Sequence, residues 1–282
     1  MPFIDTHCHL DAPAYDDLAA VCRQSAQAGV AVTVSVGSGV TSNQRILALQ
    51  QQQPARVWAA LGMHPERPEA SWEEVEAVIG QLRAHRGRVV ALGEVGLPHY
   101  ALLDGSMTAE QARQHEAFLH ALVKGAVALG LPVVLHAPHA AAAKALAIVR
   151  CYEPSGVVFH WHKGSPDTTA AICAAGCFVS VTPEVCYRER DRQLVQALPL
   201  RNLLLESDGP WPYGGEFAGQ LTTPAIVARL AVEVARLKRV SLEEVRDVVW
   251  GNAQRLFGCG PDYGHGAVGG HGSLRRCASG PG

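Results

Sequence analysis

Pro2-Phe3-Ile4-Asp5-Thr6-His7-Cys8-His9 begins the chain with a short apolar run that ends in His-x-His. Pro2–His7 reads as a buried strand. Side chains at i and i+2 leave a strand on the same face. His7 and His9 would therefore stand side by side at the strand end, an arrangement suited to a metal ion. Such a pair is also common on a surface or in a core, so its meaning turns on whether other strands end in the same way.

The apolar runs recur. Seven further strand candidates are Ala31–Val36, Val57–Leu61, Val89–Leu92, Pro132–His136, Gly156–His160, Cys177–Val181 and Asn202–Glu206. They are short, aliphatic and continuous rather than alternating, as expected of parallel strands covered on both faces. Helical patterns separate them. Ser71-x-x-Glu74 and Thr108-x-x-Gln111 read as capping boxes, opening helices to about His85 and Leu129, and Gly130 stops the second. Ser241-x-x-Glu244 opens a late helix, and others are predicted at 14–28, 41–52, 139–150, 166–175, 188–197 and 223–237. This alternation predicts an α/β fold, a (β/α)8 TIM barrel with its site at the C-terminal ends of the strands. The alternative is an open doubly wound sheet. No Gly-x-Gly-x-x-Gly follows the first strand, which weighs against a dinucleotide-binding version.

The 282 residues, 48% of them hydrophobic, suffice for one large core. A net charge of -2 argues against a protein that coats nucleic acid, but not against an enzyme that holds a few phosphates through metal ions. Asp5 and two histidines interrupt the N-terminus, so no secretory signal is read there, and no apolar run is long enough to span a bilayer. A cytoplasmic protein with no membrane association is the expectation. The eight cysteines include no Cys-x-x-Cys and read as reduced thiols. Residues 1–258 are expected to form the barrel domain. The Gly-rich stretch 259–282 lacks apolar periodicity and reads as a disordered tail.

The predicted strand ends carry the chemistry. They present His7 and His9, then His64 in Gly62-Met63-His64-Pro65, Glu94 in Gly93-Glu94-Val95-Gly96, His136, His160, and Asp208 in Glu206-Ser207-Asp208-Gly209-Pro210. Each has an ordinary reading as a turn carboxylate or a core histidine. In a barrel, however, all these ends meet at one rim. Four of these histidines, His7, His9, His136 and His160, with Glu94 and Asp208 could hold two divalent metals there.

With these residues in order, the chain resembles the TatD family of metal-dependent hydrolases, within the amidohydrolase superfamily. The landmarks are Asp5–Leu10, Gly62–Pro65, Gly93–Leu97, Leu131–His136, His160, Leu205–Asp208 and the closing Gly251–Gly258. The resemblance covers roughly residues 3–258 and implies roles residue by residue. His7 and His9 would bind one metal, Glu94 would bridge two, and His136 and His160 would bind the second. Asp208 would ligate a metal beside the attacking water and serve with Glu94 in catalysis. His64 would face substrate or water. The implied cofactors are two divalent ions (Mg, Mn or Zn), and the implied substrate is DNA, cleaved at its phosphodiester bonds.

Departures from the family pattern fall around the substrate. Pro98-His99 follow Gly-Glu-x-Gly-Leu where an acidic residue is common. Ala137-Pro138 follow His136 in place of His-x-Arg. The loop after the sixth strand reads His160-Trp161-His162-Lys163-Gly164. No expected ligand is lost. His162 and Lys163 are candidate substrate contacts, with Lys163 either replacing the missing positive charge or simply solvated. Trp161, Trp211 and Tyr213 could stack on a base or pack within rim loops. Arg188, Arg190 and Arg192 could meet phosphates, but their alternation with Glu189 and Asp191 favours a solvated helix start. The His-Trp-His and Ser-Asp-Gly-Pro-Trp segments also resemble TatD-like nucleases of bacterial Qat anti-phage systems, which implies defence-system partner proteins. Two competing readings are an amidohydrolase acting on a small amide, ester or lactone, and a non-catalytic barrel subunit. Oligomeric state is not readable from the sequence.

Overall fold

A computed structural model describes residues 1–258; the expected tail 259–282 lies outside the described residues. Eight parallel strands run β1 (Phe3–Cys8), β2 (Val30–Val36), β3 (Val57–Leu61), β4 (Val89–Gly96), β5 (Val133–His136), β6 (Val157–His160), β7 (Phe178–Val181) and β8 (Leu203–Leu205). They lie side by side in chain order. The helices between and after them are α1 (Leu18–Gln27), α2 (Val40–Gln52), α3 (Trp72–Ala84), α4 (Tyr100–Leu103), α5 (Ala109–Ala128), α6 (Ala141–Arg150), α7 (Pro166–Ala174), α8 (Glu189–Ala197), α9 (Ile226–Lys238) and α10 (Leu242–Phe257). The result is the expected (β/α)8 barrel. It is nearly closed, since among the described residues no ladder joins β8 to β1.

Side-chain and loop bonds close that seam instead. Thr6 Oγ1 donates to the Leu205 carbonyl at 3.0 Å, and Ser207 N–H donates to Asp5 Oδ1 at 2.9 Å. Asp208 N–H donates to the His7 carbonyl at 2.9 Å, and His9 N–H to the Gly209 carbonyl at 2.8 Å. The Asp5-Thr6-His7 and Glu206-Ser207-Asp208 segments are thus tied together by their own polar groups.

Burial on both faces explains the continuous apolar strands. Ile4, Val32, Val34, Val134, Val158 and Leu204 fill the barrel interior, and Ala253, Leu256 and Phe257 of α10 join them. Leu256 lies against Gly156 at the start of β6, so α10 plugs the N-terminal end of the barrel. Asn252 donates from its amide to the Leu200 and Leu203 carbonyls, fixing α10 to the start of β8. A second, larger apolar layer lies between the strands and the helices and includes Leu61, Leu92, Phe118, Leu122, Leu135 and Phe159.

The helix signals hold with one modification. Thr108 and Gln111 form a complete capping box on α5, and Gly130 follows at φ +65°. Ser71 accepts from Glu74 N–H, but the Glu74 carboxylate binds Arg67 rather than returning to the cap. The largest difference among the strands is β4, which continues through Gly93-Glu94-Val95-Gly96 instead of ending at Leu92. Glycine has a low strand propensity, yet packing requires it here. A Cβ on Gly96 would lie 1.8 Å from the His136 carbonyl oxygen, and one on Gly62 would lie 2.4 Å from the Glu94 backbone. These close approaches let β3, β4 and β5 converge on the Glu94 side chain. The short α4 carries no sequence signal and was not anticipated.

Candidate metal centre

Strand register assembles the site. Gly96 pairs with His136, and His136 pairs with His160, so β4, β5 and β6 end at one level. Glu94, two residues before Gly96, points into the space they enclose and is fully buried. Its two oxygens face two different clusters. Oε1 lies 2.7 Å from His160 Nε2, 2.9 Å from His136 Nδ1 and 3.5 Å from His64 Nε2. Oε2 lies 3.4 Å from His7 Nε2 and 3.5 Å from His9 Nε2. Asp208 adds Oδ1 at 3.5 Å from His7 Nε2 and 3.6 Å from His9 Nε2. Asp208 stands in the left-handed region at φ +47°, a conformation that a short polar side chain tolerates. That turn directs its carboxylate back toward β1.

Second partners define which imidazole nitrogens are available. His136 Nε2 faces Glu66 Oε1 at 3.1 Å, leaving Nδ1 for the centre. His160 Nδ1 faces Glu206 Oε1 at 3.4 Å, leaving Nε2 for the centre. Carboxylates placed in this way fix tautomer and orientation and raise the basicity of the inner nitrogen. His64 differs. Its Nδ1 accepts the Glu66 backbone N–H at 3.2 Å, so the neutral ring carries its proton on Nε2. Although His64, Glu94 and His136 cluster closely enough to share an ion, His64 presents a donor to the cavity rather than a lone pair.

The donor set fits a divalent cation. His7 Nδ1, His7 Nε2 and Glu94 Oε2 are buried without a hydrogen-bond partner, and each such group costs ~1–3 kcal/mol unless something satisfies it. His7, His9 and Glu94 place one atom each within 4.8 Å of one another. Imidazole and carboxylate together suit zinc, manganese or related ions. Burial pushes His7 down to about 4, and burial pushes His64 down to about 3 against the opposing pull of Glu94. Both rings are therefore neutral near pH 7. Burial alone would raise Glu94, but the surrounding His160, His64 and His7 hold it well below the usual carboxylate range. Burial raises Asp208 well above that range, with Glu94, Glu206 and Asp5 adding to the effect and His160 opposing it.

All six residues anticipated as ligands converge on this centre, and His64 joins them. Lys163 also lines the cavity above it, with Nζ 3.8 Å above the Trp161 ring and 3.8 Å from Glu184 Oε2. His162 does not. Its Nε2 meets Thr169 Oγ1 at 2.9 Å and its ring packs edgewise on Phe159, so it is buried beneath α7, away from the cavity. The expected substrate contact at His162 is thus corrected: alternation along the chain after β6 turns Trp161 and Lys163 outward and His162 inward. The three arginines are not simply solvated. Arg188 and Arg190 both pair with the buried Glu184, and Arg192 donates to the Val185 carbonyl. Sequence reasoning missed Glu66 and Glu206 as partners of the histidines. A carboxylate directly after the apolar Leu203-Leu204-Leu205 run could have flagged Glu206; no local pattern marks Glu66.

The chain matches the family model "TatD related DNase" over residues 4–258. The chain belongs to this family. Among relatives, the Escherichia coli metal-dependent hydrolase YjjV is 31% identical over 264 residues, covering 90% of this chain and 97% of that protein. The human deoxyribonuclease TATDN3 is 28% identical over 262 residues, covering 90% and 94%. The crystal structure of the TatD homologue YjjV superposes with a TM-score of 0.81 over 90% of this chain and 97% of that one, at 30% identity. A TatD-family hydrolase from Entamoeba histolytica shares the fold, with a TM-score of 0.75 at 17% identity over 91% of this chain and 98% of that one. Among the described residues, no helix is long and apolar enough to cross a membrane.

Proposed function

We propose that this TatD-family chain is a deoxyribonuclease that hydrolyses phosphodiester bonds with two divalent metal ions. The observation that carries the reading is the position of Glu94, whose two oxygens face separate histidine clusters, as a bridging ligand must. His7, His9, Glu94 Oε2 and Asp208 would hold one ion; His136, His160 and Glu94 Oε1 would hold the other. Ions there supply Lewis-acid stabilisation of the phosphoryl oxygens and activation of water. DNA as the substrate is supported by the family and by its deoxyribonuclease relative.

The protein's own groups complete the chemistry. The Asp208 carboxylate borders the cavity and is placed to accept a proton from the attacking water. His64 Nε2–H faces the same space and is oriented to donate to a substrate oxygen. Glu66 and Glu206 hold His136 and His160 in register, so the donors need little rearrangement when substrate arrives. Val95 and Leu97 are buried in the apolar layer between strands and helices.

The test is release of nucleotides from defined single-stranded and duplex DNA by protein loaded with Mg²⁺, Mn²⁺ or Zn²⁺. Cleavage that requires the ion and is lost in Glu94→Gln supports the proposal. Absence of cleavage with every ion, together with hydrolysis of an amide, ester or lactone, overturns it in favour of an amidohydrolase.

A further inference from the structure

Asp5 is fully buried at the seam where, among the described residues, no ladder joins β8 to β1, and it takes no direct part in the proposed hydrolysis. The strand is irregular around it. Asp5 pairs with Thr33 and Cys8 with Ser35, so β1 carries one residue more than β2 between these pairs. A bulge of this kind re-aims nearby side chains, and His7 lies within it.

One carboxyl group fixes both sides of the seam. Asp5 Oδ1 accepts the His7 N–H at 3.2 Å and the Ser207 N–H at 2.9 Å. Asp5 Oδ2 accepts the Ser207 hydroxyl at 2.5 Å, and that hydroxyl oxygen accepts the Gly209 N–H at 3.1 Å. Ser207 is as deeply buried as Asp5, and the Ser207 carbonyl accepts the Tyr213 hydroxyl at 2.9 Å.

Asp208 stands between two residues held in this way. Its own N–H donates to the His7 carbonyl at 2.9 Å, and its carbonyl accepts from the N–H of Trp211, whose ring stays exposed. Gly209 is packed against Tyr15. A Cβ on Gly209 would lie 2.2 Å from the Tyr15 hydroxyl, which donates to the Thr222 carbonyl at 2.6 Å. The turn that carries Asp208 at φ +47° is therefore fixed on both sides, with Oδ1 facing His7 and His9. Glu66 and Glu206 back His136 and His160, the histidines of the other cluster.

We infer that Asp5, acting through Ser207, is a positioning residue for the ion site made by His7, His9 and Asp208, and sets that site independently of the one at His136 and His160. This rests on the two-metal deoxyribonuclease reading above. The experiment titrates metal-free protein with Co²⁺, following visible absorption, and measures kcat and KM on single-stranded DNA. It compares wild type with Ser207→Ala, which deletes one hydroxyl, and Asp5→Asn, which keeps Oδ1 for the two N–H groups but removes the acceptor for Ser207. Thr6→Val is the control, because it removes the neighbouring seam bond to the Leu205 carbonyl and nothing from the Asp208 turn.

Wild type should take up two Co²⁺ ions. Ser207→Ala and Asp5→Asn should each weaken one of them roughly 10- to 100-fold and change its absorption, leaving the other within about twofold. The double variant should be no weaker than the worse single one, since both remove the same bond. On DNA, kcat should fall roughly 10- to 100-fold with KM within about twofold, and Thr6→Val should match wild type in every reading. Unchanged Co²⁺ binding in both variants, equal weakening of both ions, or the same losses in Thr6→Val would overturn the positioning role and leave the nuclease reading intact. A wild type that binds two Co²⁺ ions yet leaves DNA uncut with every ion overturns the nuclease reading, and the Co²⁺ pattern then decides the role of Asp5 alone. A wild type that takes up fewer than two Co²⁺ ions overturns both.

Discussion

Glu66 Oε1 lies 3.1 Å from His136 Nε2, and the same carboxylate accepts the backbone N–H groups of His99, Tyr100 and Ala101. One side chain from the loop after β3 therefore orients a histidine of β5 and caps the first turn of α4. The short Pro98-His99 connection offers no acidic residue of its own, and Glu66 supplies one from a different loop. Burial would raise this carboxyl, but the His136 contact and the three backbone donors hold it down to about 2.

Removing that carboxylate tests its role. Glu66→Gln should weaken metal binding by roughly 10- to 100-fold, because His136 loses its orienting partner. Titration calorimetry or competition with a calibrated chelator measures the affinity. An unchanged affinity would mean that packing alone orients His136.

Glu94 and Asp208 should separate by their stoichiometry. Glu94→Gln should reduce the bound metal below two ions per chain, as measured by elemental analysis after gel filtration. Asp208→Asn keeps the shape of the side chain and should lower kcat by about 10²- to 10⁴-fold, the usual worth of a proton acceptor. Full turnover in Asp208→Asn would remove it from the proton path.

Chelation should destabilise the fold. An ion at a thousand times its Kd contributes about 4 kcal/mol. For a domain of this size that corresponds to a fall in Tm of roughly 10 °C. Differential scanning calorimetry with and without EDTA measures it, and an unchanged Tm would mean that the centre holds no ion tightly.

His162 should matter for stability rather than for substrate. His162→Ala removes the bond to Thr169 and leaves a cavity against Phe159, at a cost of about 2–4 kcal/mol. Urea denaturation reports the loss. KM for DNA should stay within about twofold, and a large rise in KM would restore His162 to the substrate shell.

Gly96→Ala tests the geometry beneath the site. Its new Cβ would meet the His136 carbonyl, so β4 and β5 must part. We expect a loss of about 3 kcal/mol together with reduced metal affinity, since His136 moves with its backbone. Calorimetry and metal titration on the same preparation check both effects.

Much of this protein follows from local sequence. Continuous apolar runs such as Val57–Leu61, with caps at Thr108 and Ser241, specify alternating strands and helices because burial on two faces and helix-end hydrogen bonding are local demands. Ligand-type residues at successive strand ends, from His7 to Asp208, identify the rim because a parallel barrel brings all those ends together. Glu66 and Glu206 were decided by tertiary structure. Their contacts with His136 and His160 span 70 and 46 residues, as the residue numbers show, and no local spacing encodes them. The inward turn of His162 and the exposure of Trp211 likewise depend on what packs against each ring. The opening His7-Cys8-His9 offered a candidate ligand pair whose meaning came from the other strand ends. Which carboxylates stand behind the histidines, and which aromatic ring stays exposed, were set only when distant strands and loops met in the barrel.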